Sequence, residues 1–128
     1  MSALMILIAQ GQSDFTPESP IRGVIRWDLD SSLRELRLRL IWHTTGKGST
    51  DISIVEERDF SGSQTKGEQS FEFVLPDAPY SFSGKLISLH WALELVSQPG
   101  NFSSKTEFTL SPSGKEIVLP DIPQKTFR

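Results

Sequence analysis

The chain contains no cysteine among its 128 residues. Disulfide bonds, thiolate metal sites and a cysteine nucleophile are therefore excluded. Packing has to hold the fold together, and a domain of this length can rely on it because folding buries roughly two thirds of the surface of the unfolded chain. A lack of cysteine is also typical of a reducing compartment, so we expect a cytoplasmic protein.

The sequence also lacks an apolar run of the length that a membrane-spanning helix needs, which is about 20 residues. The opening MSALMILIAQ is short and has no basic lead, so it predicts a first strand and not a signal peptide. Neither sign of charge dominates, since the chain has 13 basic and 16 acidic residues. We therefore expect no membrane span, and no field that would attract nucleic acid.

Helical periodicity is missing as well, and apolar residues instead recur at every second position, as in a strand with one buried face. The longest such run predicts one buried set: Ile87, Leu89, Trp91, Leu93 and Leu95. Its other face would carry Ser88, His90, Ala92 and Glu94. Trp91 lies in the middle of the apolar set, so we predict that it is a central core residue.

Turn signals separate about eight strand-like runs, a spacing typical of an antiparallel β-sandwich. The number of runs and the uneven hairpins favour a sandwich over a barrel. We predict one domain over residues 1–120. The remaining segment, 121–128, contains one proline and little to bury, and we expect it to be extended or disordered.

Three segments, in this order, resemble the N-terminal lobe of arrestins and of their sporulation-control and retromer-subunit relatives. They are IRGVIRWDLDSSLRELRLRLIW, TTGKGSTDISIVEERDF and LPDAPYSFSGKLISLHWALEL. The resemblance implies an immunoglobulin-like β-sandwich with a non-enzymatic role in binding proteins. Arrestins have two such lobes, and this chain has the length of one, so their inter-lobe switch and receptor recognition do not carry over.

No pattern in the sequence points to a catalytic site, a metal or a cofactor. Both histidines, His43 and His90, fall on the outward phase of their strands, which predicts two solvated side chains. Glu56 and Glu57 are adjacent, so they point to opposite faces and cannot act as a carboxylate pair. The segment from Gly46 to Thr50 lies between two strands, without the spacing or the helix N-terminus of a phosphate-binding loop.

Three tryptophans, Trp27, Trp42 and Trp91, share the apolar phase of their strands, and this predicts core positions. A sugar-binding platform would instead need exposed, coplanar aromatic rings. A carbohydrate-binding module stays open as the alternative function, because β-sandwiches often host one. An enzyme acting through loop residues is the least favoured function.

Four arginines have the outward phase of two successive strands: Arg22, Arg26, Arg37 and Arg39. A hairpin closed at residues 30–32 would bring Arg22 near Arg39 and Arg26 near Glu35. Like charges opposite each other on a sheet are unfavourable. Such a face therefore needs either compensating carboxylates, with Glu72 and Glu94 as candidates, or a use as a docking surface for an acidic segment.

The function expected from these observations is that of a protein-interaction adaptor or scaffold. It would act through an exposed sheet edge or through the arginines, on a protein partner that the sequence does not identify.

Overall fold

Two β-sheets packed face to face form the fold in the computed structural model. The structure describes residues 3–29, 35–46, 50–60, 64–84, 86–98, 102–113, 115 and 117–118. Residues 117 and 118 are described by their backbone alone. The predicted tail, 121–128, and the turn residues 30–32 and 47–49 lie outside the described residues. The end of the predicted domain at residue 120 therefore stays a prediction.

Ten strands and one turn of 3-10 helix, Ala9–Gly11, make up the described chain. The strands are β1 (Ala3–Ile8), β2 (Asp14–Phe15), β3 (Pro20–Asp28), β4 (Glu35–Gly46), β5 (Ile52–Asp59), β6 (Lys66–Val74), β7 (Phe82–Ser83), β8 (Ile87–Gln98), β9 (Phe102–Leu110) and β10 (Ile117–Val118). The N-terminal apolar run is a strand, as predicted. Two strands of two residues each, β2 and β7, are too short to show alternation and account for the excess over the eight runs expected.

The small sheet has the strand order β1-β3-β6, and the large sheet has the order β10-β7-β8-β4-β5. Strand β9 pairs with β8 on the side opposite β4, which is also the side where β7 pairs at Leu89, and β2 lies along β9. The long strands pair antiparallel, whereas the short pairs β2 with β9 and β7 with β10 are parallel. The predicted all-β sandwich is confirmed.

The core lies between the inner faces of the two sheets, where alternate residues of the long strands meet. The largest fully buried side chains are Trp91, Phe15, Phe73, Ile21, Ile25, Leu36, Leu38, Leu40, Leu75, Leu93, Leu95 and Leu110. Trp91 is completely buried and its ring centroid lies 6.1 Å from that of Phe108, so its predicted central position is confirmed.

Two residues of β8 differ from the predicted alternation. Ile87, predicted to be buried, is 46% exposed, because it pairs with Gly46 at the end of β4 and lies beyond the packed part of the sheet. Ala92, predicted to face outward into solvent, is fully buried. It lies opposite Ile41 and Glu107 in the middle of the large sheet, and a methyl group there is covered by its longer neighbours.

The predicted hairpin between β3 and β4 is wrong. Both edges of β3 are occupied by strands of the small sheet, β1 and β6, while β4 pairs with β5 and β8 in the large sheet. The chain therefore crosses from one sheet to the other between Leu29 and Glu35, as connections in β-sandwiches often do. Arg22 does not face Arg39, and Arg26 does not face Glu35.

No helix within the described residues has the length and apolar character needed to cross a membrane.

Candidate functional site

The four predicted arginines lie on two different sheets. On the small sheet, Arg22 and Arg26 stand opposite Glu72 and Glu68 of β6, and each arginine forms an ion pair through its Nε with the carboxylate opposite. All four side chains are at least half exposed, so each pair contributes only about 0–1 kcal/mol to stability. The compensation of Arg22 by Glu72 agrees with one of the two expectations.

On the large sheet, two arginines share one carboxylate. Arg39 Nε lies 2.8 Å from Glu57 Oε2, and Arg37 Nη1 lies 3.4 Å from Glu57 Oε1. The further carboxylates are more distant, with Arg39 Nη1 at 3.8 Å from Glu94 and Arg37 Nη2 at 3.7 Å from Glu35. Glu94 thus lies near Arg39 as expected, but the shorter contact is with Glu57.

Arg37 and Arg39 line a shallow cleft of about 290 Å³ at one end of the large sheet. The cleft is also lined by Glu35, Glu94, Val96, Ser97, Gln98, Phe102 and Ser103. Arg37 Nε is buried, and the structure gives it no hydrogen-bond partner. A buried donor without an acceptor is costly, so the hydrogen bonding of Arg37 is incomplete at this cleft.

The histidines also lie on the outer face of the large sheet, directly opposite each other on β4 and β8. His43 Nε2 lies 3.2 Å from Glu107 Oε2, and the ring centroids of His43 and His90 are 5.2 Å apart. His43 is buried, so the prediction of a solvated side chain is wrong for this residue. The reason is its place on an inner strand, where Ile52 and His90 flank it on both sides.

The part of the chain that the structure describes holds no group of three or more His, Cys, Asp or Glu residues that could bind a metal ion. Glu56 and Glu57 are separated as predicted, since Glu56 pairs with Arg58 and Glu57 with the arginines of β4.

The tryptophans do not form an exposed platform. Trp27 and Trp91 are buried, and their indole Nε1 atoms each donate a hydrogen bond of 2.7 Å, to Gln64 O and Pro79 O respectively. Trp42 is only partly buried, packed against the core, so its predicted core position holds in part.

Two carboxylates in close contact with Arg39 and His43 on this face, Glu57 and Glu107, were not predicted as their partners. Glu57 could have been found by treating 35–46 and 52–59 as neighbouring strands joined by a short turn, which places it beside Arg39. Glu107 lies 64 residues after its partner His43, and nothing in the local pattern links the two.

Two packed β-sheets around an apolar core form a β-sandwich, and its similarity to a solved structure shows that the fold is arrestin-like. The solved structure of Spo0M, a sporulation control protein from Bacillus subtilis, is similar to this chain with a TM-score of 0.60 and 16% sequence identity. The match covers 85% of this chain and 49% of that one, so the chain spans about half the length of Spo0M. No protein-family model matches the sequence, and no curated protein matches it.

Proposed function

We propose that the protein is a non-enzymatic protein-interaction module of the adaptor or scaffold type, and that it binds an acidic segment of a partner protein at the cleft of Arg37 and Arg39. The observation that carries this proposal is the sharing of Glu57 between two arginines, which leaves Arg37 with carboxylate contacts of only 3.4 and 3.7 Å. The arrestin-like fold supports the non-enzymatic part, because such folds generally serve as binding modules. We also propose that the protein is cytoplasmic and that residues 1–120 form a single domain.

The chemistry of the cleft suits a carboxylate ligand. A guanidinium group presents donors in a planar fork, which binds carboxylates through two parallel hydrogen bonds. Glu57 serves two such groups at once, and the contacts of Arg37 are long at 3.4 and 3.7 Å. An incoming Asp or Glu could therefore replace a poor contact with a close one. Phe102 at the rim offers an apolar surface for a neighbouring partner side chain.

Arg22 and Arg26 have a different role in this proposal. Each has its own carboxylate directly opposite, so neither has the spare donor capacity of Arg37. We assign them to local charge balance on the small sheet, and this makes them a matched control for the arginines of the cleft.

The double variant Arg37→Gln/Arg39→Gln is expected to weaken partner binding at least about tenfold and to reduce its dependence on salt, because charge-assisted hydrogen bonds to the partner are lost. Partners are first recovered from the native host with the wild-type protein and identified by mass spectrometry. Each one is then titrated against the wild type and the variant at two salt concentrations.

The control Arg22→Gln/Arg26→Gln removes the same charge from the other sheet and should leave the affinity within about twofold of the wild type. Both double variants should remain folded, with unfolding free energies changed by no more than about 1 kcal/mol, because the pairs are largely exposed. Equal affinity of the wild type and the Arg37/Arg39 variant at both salt concentrations would contradict the proposal.

The alternative, a carbohydrate-binding module, finds no support in the tryptophans, since two are buried and the third is packed against the core. Indole fluorescence that is quenched by oligosaccharides would restore it.

A further inference from the structure

Strand β5 forms an edge of the large sheet. It is hydrogen-bonded to β4 on one side, and no strand among the described residues pairs with its other side. The free edge of a strand presents unpaired N–H and C=O groups that can accept a further strand. Proteins usually block such edges with charges, bulges or short strands.

The second half of β5 has this protection. Leu40 pairs with Glu56 and Ile41 with Ile54, so Val55 is the extra residue of a β-bulge, which bends the strand and interrupts regular pairing. After the bulge the strand carries Glu56, Glu57, Arg58 and Asp59. The guanidinium of Arg58 turns toward the sandwich, 4.7 Å from the ring centroid of Phe73, and helps to close its side.

The first half of β5 has no such protection. Ile52 is 67% exposed and Ile54 is 51% exposed, and both lie on the outer face of the sheet beside His43 and Ile41. The bulge residue Val55 adds a third exposed apolar side chain. Apolar surface at an unprotected edge is the combination that marks a site of strand addition.

We propose that β5 pairs with β5 of a second copy of this chain, antiparallel and about a two-fold axis at Ser53. In this register Ile52 lies opposite the partner's Ile54, and Ile54 lies opposite the partner's Ile52. The outer apolar row would then continue across the axis, and each cross-strand apolar pair would add stability. The interface is isologous, so it closes at a dimer.

The charges of β5 select this arrangement. In the antiparallel register the segments from Glu56 to Asp59 point away from the axis in opposite directions, so the carboxylates of the two copies stay apart. A parallel pairing in register would place Glu56 beside the partner's Glu56 and Glu57 beside the partner's Glu57, which is unfavourable. The edge is therefore complementary to itself in one orientation. This inference is independent of acidic docking at Arg37 and Arg39.

Site-directed cross-linking tests the register. The chain has no native cysteine, so an introduced cysteine can form a disulfide only with its copy in the second chain. At the axis the two Ser53 Cα atoms would be about 4.5–5.5 Å apart, within the range of a disulfide. Under mild oxidation Ser53→Cys should form a covalent dimer in high yield. Glu57→Cys lies on the same strand but far from the axis, so it should form far less.

Sedimentation velocity tests the dimer without a cross-link. Between about 5 and about 500 µM the wild type should shift from the mass of the 14.3 kDa chain toward twice that mass. Ile52→Lys/Ile54→Lys should weaken dimerisation at least about tenfold, since charge on both residues of both copies disrupts the apolar row. The control Val74→Lys changes a residue of similar exposure, 64%, on the small sheet and should dimerise like the wild type.

A wild type that stays monomeric over the whole concentration range would overturn the inference. So would a dimer that Val74→Lys disrupts and Ile52→Lys/Ile54→Lys does not, because the interface would then lie on the other sheet. Equal cross-linking at positions 53 and 57 would reject the register. None of these outcomes bears on the affinity of the Arg37/Arg39 variant for an acidic partner.

Discussion

Replacing Trp91 with alanine is expected to lower the free energy of unfolding by about 3 to 5 kcal/mol, the usual loss for emptying a large buried aromatic site. The indole is fully buried at the centre of the sandwich. Its Nε1 donates to Pro79 O at 2.7 Å, so the substitution also leaves a carbonyl without its partner. Both losses destabilise the folded state, so each should lower the free energy of unfolding.

Urea unfolding followed by circular dichroism measures this change without relying on tryptophan fluorescence. Ile87→Ala is the matched control, because Ile87 lies on the same strand and the same apolar phase but is half exposed, and it should cost less than about 1 kcal/mol. A loss below about 1 kcal/mol for Trp91→Ala would mean that the indole is not a core residue.

Gly23→Ala is expected to destabilise the fold by about 3 kcal/mol, because a methyl group has no room at this position. A Cβ on Gly23 would overlap the backbone oxygen of Leu7 and approach Phe71 Cζ to 2.9 Å. Leu7 belongs to the neighbouring strand β1, so relief of the main overlap requires β1 to move away from β3, and the ring of Phe71 would have to shift as well. Urea unfolding is again the measurement.

Gly11→Ala separates this steric effect from the loss of glycine as such. Gly11 has open space around its Cβ position and a positive φ of 63°, so alanine there should cost only about 1 to 2 kcal/mol, through backbone strain. If Gly23→Ala proved no more damaging than Gly11→Ala, the close approach of β1 to β3 would have to be abandoned.

The variants at Trp91 and Gly23 differ in kind from the variants at the proposed binding surfaces. Trp91 and Gly23 act on the sandwich itself, whereas Arg37, Ile52 and Ile54 lie on its outer face. Substitutions at the outer face should leave the unfolding free energy nearly unchanged, so a loss of binding there can be assigned to the surface.

The alternation of apolar residues along the chain predicts the fold class and most of the core. A period of two decides which face of a strand each side chain occupies, and this is a local property of the chain. It therefore identified the burial of Trp91, Leu93 and Leu95 and the outward direction of the arginines. It failed at Ile87 and Ala92, because burial also depends on what covers a position, and the neighbouring strands supply that cover.

Which strands are neighbours follows only from their arrangement in three dimensions. Alternation does not specify a partner strand, and the sandwich places β3 and β4 in different sheets although they follow each other in the chain. The ion-pair partners of the arginines depend on that choice, as Glu72 faces Arg22 from 50 residues away. The open edge of β5 depends on the arrangement of strands too, because a strand forms an edge of a sheet only where no other strand pairs with its second side.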